Sequence, residues 1–464
     1  MGRASLYFSS MFPFPTLVAL WLCAVGLTSS AVRAFSVPFK KALVSKTSDS
    51  IDPFTFGTKN DLEIGTIYVG TVTILGQDFE VQLDTGSSDL WLDTINVNIS
   101  SLIQSGQSSS LTYGDNTVAE GPIVIGNVTF GDFTFSQALI SAPGSNATAL
   151  GDKGLLGLGL PLNSRVRSVL QNTSLNGDTV LENIFATNPS LPTYITFQLA
   201  RSETTGSTDG GTFTIGELDS NFSAILDAPK MNVVSPGAWE VLMDGMIVNG
   251  QLMGGGSANS QLQGTNQTTT ILDTGTSGAA IPKSYIDAIY SSVPGAYFNE
   301  TASDYVVPCD AKLNVSFVFG GIAYPIHPID LISATTRVTG DILCYPAFQQ
   351  GSPTFGTDFL LGDSFLRNVY SLYAFGPELS PVNGPPAAYV QILSTTNLDQ
   401  AFVEFDQLSA QRNASLLRAE TPNGGSGNGN NDGQQNGASS LALSLRLAIT
   451  STAMLSLGLI MFIA

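Results

Sequence analysis

Val81-Gln82-Leu83-Asp84-Thr85-Gly86-Ser87-Ser88-Asp89-Leu90-Trp91 decides the fold, because its central pentad returns in the second half of the chain as Asp273-Thr274-Gly275-Thr276-Ser277, again behind apolar residues, Ile271 and Leu272. One Asp-Thr-Gly is ordinary turn chemistry. Two copies, each after a strand-like apolar run, are paired carboxylates placed to meet across an internal two-fold. Carboxyl groups within hydrogen-bonding distance cannot both ionise, so they share one proton over an acidic range, and one serves as base while the other serves as acid. Each pentad carries the parts: Asp84 or Asp273 the carboxylate, Gly86 or Gly275 a tight turn and close backbone approach, Ser87 or Thr276 a hydroxyl to orient the carboxylate. Thr85 and Thr274 are placed to bond across the pair and lock the turns together.

Working outward, Gly154-Leu155-Leu156-Gly157 follows the first pentad and Phe359-Leu360-Leu361-Gly362 follows the second at a similar distance, which makes the repeat one of domain size. Between them lies Leu111-Thr112-Tyr113-Gly114-Asp115, flanked by β-formers and carrying a Tyr-Gly suited to a hairpin turn. Short alternating segments such as Thr66 to Ile74 and Lys312 to Phe319, broken by Gly, Pro, Asn and Asp, predict a chain dominated by strands. Helices are expected only in a few places, Asn163 to Asn172 and Lys283 to Ser292 among them.

On these motifs, together with Leu361-Gly362-Asp363-Ser364-Phe365-Leu366-Arg367, the chain resembles the pepsin-like aspartic proteases over about residues 65 to 405. The resemblance implies an all-β-dominated, bilobal double β-barrel with the active-site cleft between its lobes and few short helices. It implies an N-terminal lobe at 63–235 and a C-terminal lobe at 236–408. It further implies that Asp84 and Asp273 are catalytic, that Thr85, Gly86, Ser87, Thr274, Gly275 and Thr276 support them, and that Tyr113 and Gly114 form a flap over an extended substrate, with Trp91 bracing Tyr113. Asp115 and Asp89 resemble the pattern in fungal, lipid-anchored yapsins, which prefer basic residues at the cleavage site; the other reading of Asp115 is a brace for the hairpin turn. The chain departs from the family where Tyr373-Ala374-Phe375 leads to Gly376 rather than to an aspartate, and it lacks the N-terminal-lobe disulfide of many relatives.

The flanks read as processing signals. Residues 1–34 combine Arg3, an apolar run from Leu17 to Leu22, and small residues at Ala31 and Ala34, as a cleaved secretory signal does; a membrane anchor is the other reading. Residues 35–62 carry Lys40, Lys41, Lys46 and Lys59 and resemble the family's basic pro-segments, although Phe35-Ser36-Val37-Pro38-Phe39 also suits a retained strand. Sequons stand at Asn98, Asn127, Asn146, Asn172, Asn221, Asn266, Asn299, Asn314 and Asn413, candidate glycan sites in a secreted protein. Cys23 falls in the signal, leaving Cys309 and Cys344 as an even pair for which a disulfide is expected in an oxidising compartment.

Residues 409–440 read as a flexible stalk rich in Gly, Asn and Ser, and 441–464 as a hydrophobic attachment signal. With small residues around Asn436 and Gly437, this fits a glycosylphosphatidylinositol anchor; a C-terminal transmembrane helix is the alternative.

With 37 acidic against 18 basic residues the net charge is −19, which excludes nucleic acid as a partner. The single histidine, His327, between Pro325 and Pro328, reads as a loop residue, and no His/Cys set for zinc exists. Gly362-Asp363-Ser364 lacks the glycines of a serine nucleophile, and Asp273 lacks the lysine of a phosphorylated pump segment. The expected protein is therefore a monomeric, cofactor-free acid endopeptidase acting on polypeptides outside the cell at a membrane surface or wall. The rival is a catalytically silent surface glycoprotein or inhibitor-type relative of the same fold, in which one pentad would ordinarily be damaged; here both are intact.

Overall fold

The computed structural model describes residues 36–37, 40–43, 66–148, 152–201, 206–257, 262, 265–337, 340–351, 356–376 and 387–420. The signal segment, most of 35–62, Asn436, Gly437 and the apolar tail lie outside them. Among the described residues no helix is long and apolar enough to cross a membrane.

Alternation builds the first lobe. In Gln77–Asp84 the side chains of Phe79, Val81 and Leu83 are buried while Glu80 is exposed and Gln82 half-buried, as a period of two requires. Six strands hydrogen-bond in the cyclic order Thr66–Ile74, Gln77–Asp84, Gly154–Gly157, Leu90–Leu92, Phe133–Ser141 and Val118–Phe130, and the last closes on the first to make a barrel. Ile103–Thr112 pairs with the outer part of Val118–Phe130, so this hairpin runs out of the barrel with Tyr113 at its tip.

The second half repeats the centre of this arrangement. Gln77–Asp84 lies parallel to Gly154–Gly157, which is antiparallel to Leu90–Leu92. Thr268–Leu272 likewise lies parallel to Phe359–Leu361, which is antiparallel to Ala279–Ile281. A six-stranded sheet joins the halves, with Tyr194–Leu199 paired to Val369–Ala374 and with Ser36–Val37 on its edge beside Gly211–Ile215. Lys40–Leu43 continues into the first lobe's sheet beside Thr66–Ile74. The core runs through both lobes and includes Phe130, Phe197 and Phe213 on one side and Phe317, Phe348 and Phe365 on the other.

A buried polar cluster supports the junction. Arg201, just past Tyr194–Leu199, reaches Asp330 Oδ2 at 2.5 Å, and Arg367 Nε reaches Asp330 Oδ1 at 2.8 Å. Burial alone would raise the Asp330 pKa, but the two guanidiniums hold it well below the usual carboxylate range. His327 is buried beside this cluster and caps the short helical turn Pro328–Leu331, its Nδ1 accepting from Ile329 N at 3.1 Å.

The helix expected at Lys283 to Ser292 spans Lys283–Tyr290, and the one expected at Asn163 to Asn172 spans Arg165–Leu170. Val180–Thr187, opened by a Thr179/Glu182 capping box, was not anticipated. Nor was the helix Leu398–Glu420, which corrects the sequence reading at its C-terminal end: residues 409–420 are helix, not stalk. Ala401, Phe405 and Ser409 are buried along one side of it, and Arg412 Nη1 donates to Ile332 O at 2.5 Å. Ser409 Oγ donates to Cys309 O at 3.0 Å, which seats the helix beside the disulfide Cys309–Cys344. That bond links residues 35 apart and removes loop-closure entropy worth roughly 3–4 kcal/mol in the chain-entropy model.

Candidate active site

Strand ends deliver the two pentads to one place. Asp84 ends Gln77–Asp84 and Asp273 follows Thr268–Leu272; both are at most 8 % exposed, and their carboxyl groups lie together, an ideal Cβ on Gly275 falling 2.3 Å from Asp84 Oδ1 and 3.1 Å from Asp273 Oδ1. The threonines interlock: Thr85 N donates to Thr274 Oγ1 at 3.1 Å and Thr274 N to Thr85 Oγ1 at 3.0 Å. Each hydroxyl then donates onward to the other half's strand, Thr85 to Leu272 O at 2.9 Å and Thr274 to Leu83 O at 2.8 Å.

The carboxylates are oriented by matching donors. Gly86 N donates to Asp84 Oδ1 at 2.7 Å and Gly275 N to Asp273 Oδ1 at 2.8 Å. Ser87 Oγ donates to Asp84 Oδ2, and Thr276 Oγ1 to Asp273 Oδ2 at 2.7 Å. Burial first, and then the adjacent Asp273 carboxyl, push the Asp84 pKa well above the usual carboxylate range.

Glycine is required at four positions around the pair. A Cβ on Gly86 would sit 2.7 Å from Asp273 Cγ, and one on Gly275 would sit 2.3 Å from Asp84 Oδ1. Behind the pentads, a Cβ on Gly157 would meet Ser88 N at 2.5 Å and one on Gly362 would meet Thr276 O at 1.9 Å, which explains why each apolar pair of the repeat ends in glycine. Gly275→Ala is expected to fold and to lose about a hundredfold or more in kcat/KM, because a misplacement of about 1 Å at reacting groups costs that much. Circular dichroism and turnover measured on the same preparation check it.

Tyr113 at the hairpin tip is joined to the barrel wall by Trp91, whose Nε1 donates to the phenol oxygen at 2.6 Å. Gly114 beside it meets no atom within 4 Å of its ideal Cβ position, so the tip is open there. Asp115 Oδ1 accepts from Thr117 N at 2.8 Å and from Thr117 Oγ1 at 2.7 Å, fixing the turn. Asp89 is not a cleft acid: it is buried and caps the helix Arg165–Leu170, accepting from Ser164 Oγ at 2.5 Å and Arg165 N at 2.7 Å. One contact escaped the sequence reading altogether, Gln82 Nε2 donating to Gly275 O at 3.0 Å.

The sequons are scattered over the surface. Asn98, Asn127, Asn146, Asn172, Asn221 and Asn266 are exposed, whereas Asn299, Asn314 and Asn413 are half-buried, the last within Leu398–Glu420. Among the described residues no group of three His, Cys, Asp or Glu side chains could hold a metal ion.

A family model described as eukaryotic aspartyl protease matches residues 64–379. The chain is 27% identical over 350 residues to major aspartyl peptidase 1 of Cryptococcus neoformans var. grubii, covering 68% of each protein. It is 32% identical over 333 residues to embryonic pepsinogen of Gallus gallus, covering 67% of this chain and 76% of that one. To penicillopepsin-2 of Penicillium janthinellum it is 28% identical over 374 residues, covering 76% and 86%. The adjacent aspartates at the ends of twinned strands and the family match over residues 64–379 agree, and the chain belongs to the eukaryotic aspartyl proteases, hydrolases of the aspartic endopeptidase type.

Proposed function

We propose that Asp84 and Asp273 are the catalytic pair of a secreted endopeptidase that works in acid. The observation that carries this is the close approach of two buried carboxyls, each held by a glycine N–H and a hydroxyl. One carboxylate takes a proton from a water held between them. The resulting hydroxide adds to the scissile carbonyl carbon while the other, protonated carboxyl gives its proton to the carbonyl oxygen. The product is a tetrahedral diol. The carboxyl that took the water's proton gives it to the peptide nitrogen while the other carboxylate takes one back from a diol hydroxyl; the C–N bond breaks with its electron pair leaving on the amine, and two peptides leave with the dyad again holding one proton. Tyr113 and Gly114 close over the extended substrate and exclude water as the hairpin comes down.

The test is digestion of a diverse peptide pool by the form ending before residue 421, between about pH 3 and 7, with products read by mass spectrometry. Cleavage that peaks in acid and stops with pepstatin is expected. No cleavage by folded, processed protein would favour the silent surface-glycoprotein reading.

The same pool addresses specificity. Asp115 makes no hydrogen bond through Oδ2 among the described residues, and its fixed Oδ1 holds the carboxylate at the hairpin tip, where it can pair with a Lys or Arg side chain of the substrate. Asp115→Asn keeps an Oδ1 acceptor for Thr117 and removes the charge. Cuts beside Lys and Arg should fall by about tenfold relative to other cuts, with total turnover maintained; an unchanged pattern would leave Asp115 as a turn brace only.

Secretion, maturation by removal of the basic pro-segment, surface glycans and a lipid anchor complete the reading, supported by the sequence of the flanks and the exposed sequons. Release of the mature protein by a phosphatidylinositol-specific phospholipase from intact cells expressing the full-length chain is expected, and retention would favour a spanning tail. The released ectodomain is expected to sediment as a monomer.

A further inference from the structure

The period of two that buries Phe79, Val81 and Leu83 places Gln82 on the same side of its strand as Asp84. Gln82 is half-buried, and its amide reaches out of the first half to donate to Gly275 O, 193 residues away, at 3.0 Å. Every other bond that orients the aspartates has a twin: glycine N–H with glycine N–H, Ser87 with Thr276, Thr85 with Thr274. The Gln82 bond has none of equal quality. Two residues before Asp273 stands Ile271, 5 % exposed and without a donor. Gly86 O does receive an amide, from Asn163 Nδ2, but that contact is exposed, 3.4 Å long, and comes again from the first half.

We infer that Gln82 is a positioning residue for Asp273, holding that aspartate's turn from across the dyad. The argument rests on the reading of Asp84 and Asp273 as the catalytic pair. Gly275 O belongs to the peptide that leads into Thr276, and the Thr276 hydroxyl donates to Asp273 Oδ2 at 2.7 Å. A donor on this carbonyl fixes the plane of the peptide and with it the hydroxyl. The two aspartates thereby acquire unequal surroundings although their pentads are near copies. Because the brace acts on the pair and not on substrate, its loss should appear in kcat and in the pH profile, with KM little changed.

Two variants test this beside wild type and Asp273→Asn in one peptide assay. Gln82→Met keeps the length of the side chain and removes the donor; kcat should fall about tenfold, the worth of one lost hydrogen bond at a partly buried acceptor, with KM within about twofold and the acid limb of the profile displaced. Gln82→Glu supplies a protonated carboxyl that can donate to Gly275 O in acid and, once ionised, repels it. Its kcat should match wild type at the acid end and fall as the new carboxyl titrates, a pH-dependent rescue that a packing role would not produce. Active wild type with Gln82→Met equal to it in kcat at every pH, an effect confined to KM, or a Gln82→Glu profile parallel to that of Gln82→Met would each overturn the role. A folded wild type that cleaves nothing would remove the catalytic reading and this inference together.

Discussion

Asp84→Asn and Asp273→Asn are each expected to lose on the order of ten-thousandfold or more in kcat, and the double variant to be no worse than either, because groups that act as a unit are not additive. The loss is chemical. With one carboxamide in place the pair can no longer both take a proton from water and give one to the carbonyl oxygen. The fold should survive, since an Asn Oδ1 at position 84 still accepts from Gly86 N, and at position 273 from Gly275 N. Thr85 and Thr274 bind each other and the opposite strands without using either carboxylate. Asparagine also resembles the protonated acid that burial already favours at Asp84, so the Asp84 variant should melt no lower than wild type above about pH 6. Full turnover by either variant would remove the dyad mechanism. A large drop in melting temperature would show that the lost activity came from unfolding.

Much of this site was legible because it is written in local patterns that repeat. Asp-Thr-Gly after an apolar run states a carboxylate on a turn, and apolar-apolar-Gly states a buried strand whose end must pass close behind that turn; the structure puts Gly157 against Ser88 and Gly362 against Thr276. Tyr113 was visible through its glycine and its β-forming flanks. Contacts between the halves were not visible, since nothing near Gln82 in sequence marks Gly275, and nothing near Arg201 marks Asp330. Asp89 misled for a related reason. A buried carboxylate capping a helix that starts at Arg165 looks, in sequence, like any other acid beside the pentad. The long helix Leu398–Glu420 carried a helical period, but Ser409 and Arg412 occupy inward positions, so the apolar stripe is interrupted and the segment passed as lobe end and polar stalk.

Stability should fall steeply between about pH 4 and 7, the reverse of what most proteins show, and four buried carboxyls set the sign. Burial raises the pKa of Asp152 and of Asp304 from 3.8 to about 7, and burial also raises Asp89, despite its cap bonds, and Asp84. For an acid whose folded pKa lies above its unfolded value, the native state holds the proton and the unfolded state releases it. The contribution is therefore complete below the unfolded pKa and is lost as pH rises through the folded one. His327 opposes this. Burial, and next the charge of Arg201, lower its pKa from 6.5 to about 4, so its neutral form favours the native state above 6.5 and that advantage is lost as pH falls toward 4.

Asp330, whose pKa is lowered, gives way only in stronger acid, below the usual carboxylate range. Each group contributes a slope of about 1.4 kcal/mol per pH unit. Counting only Asp152 and Asp304 against His327, the net loss from pH 4 to 7 is on the order of 4 kcal/mol, a large part of a typical total of about 5–15 kcal/mol. Repulsion within a chain of net charge −19 adds to it. The melting temperature of the mature ectodomain should thus drop by on the order of 10 °C over that interval. Asp304→Asn, which leaves an acceptor for Tyr305 N, should remove about one group's share of the slope, and His327→Gln should steepen it. A melting temperature that is flat or rises from pH 4 to 7 would mean that these carboxyls are ionised in the native protein, and that acid serves the dyad alone and not the fold.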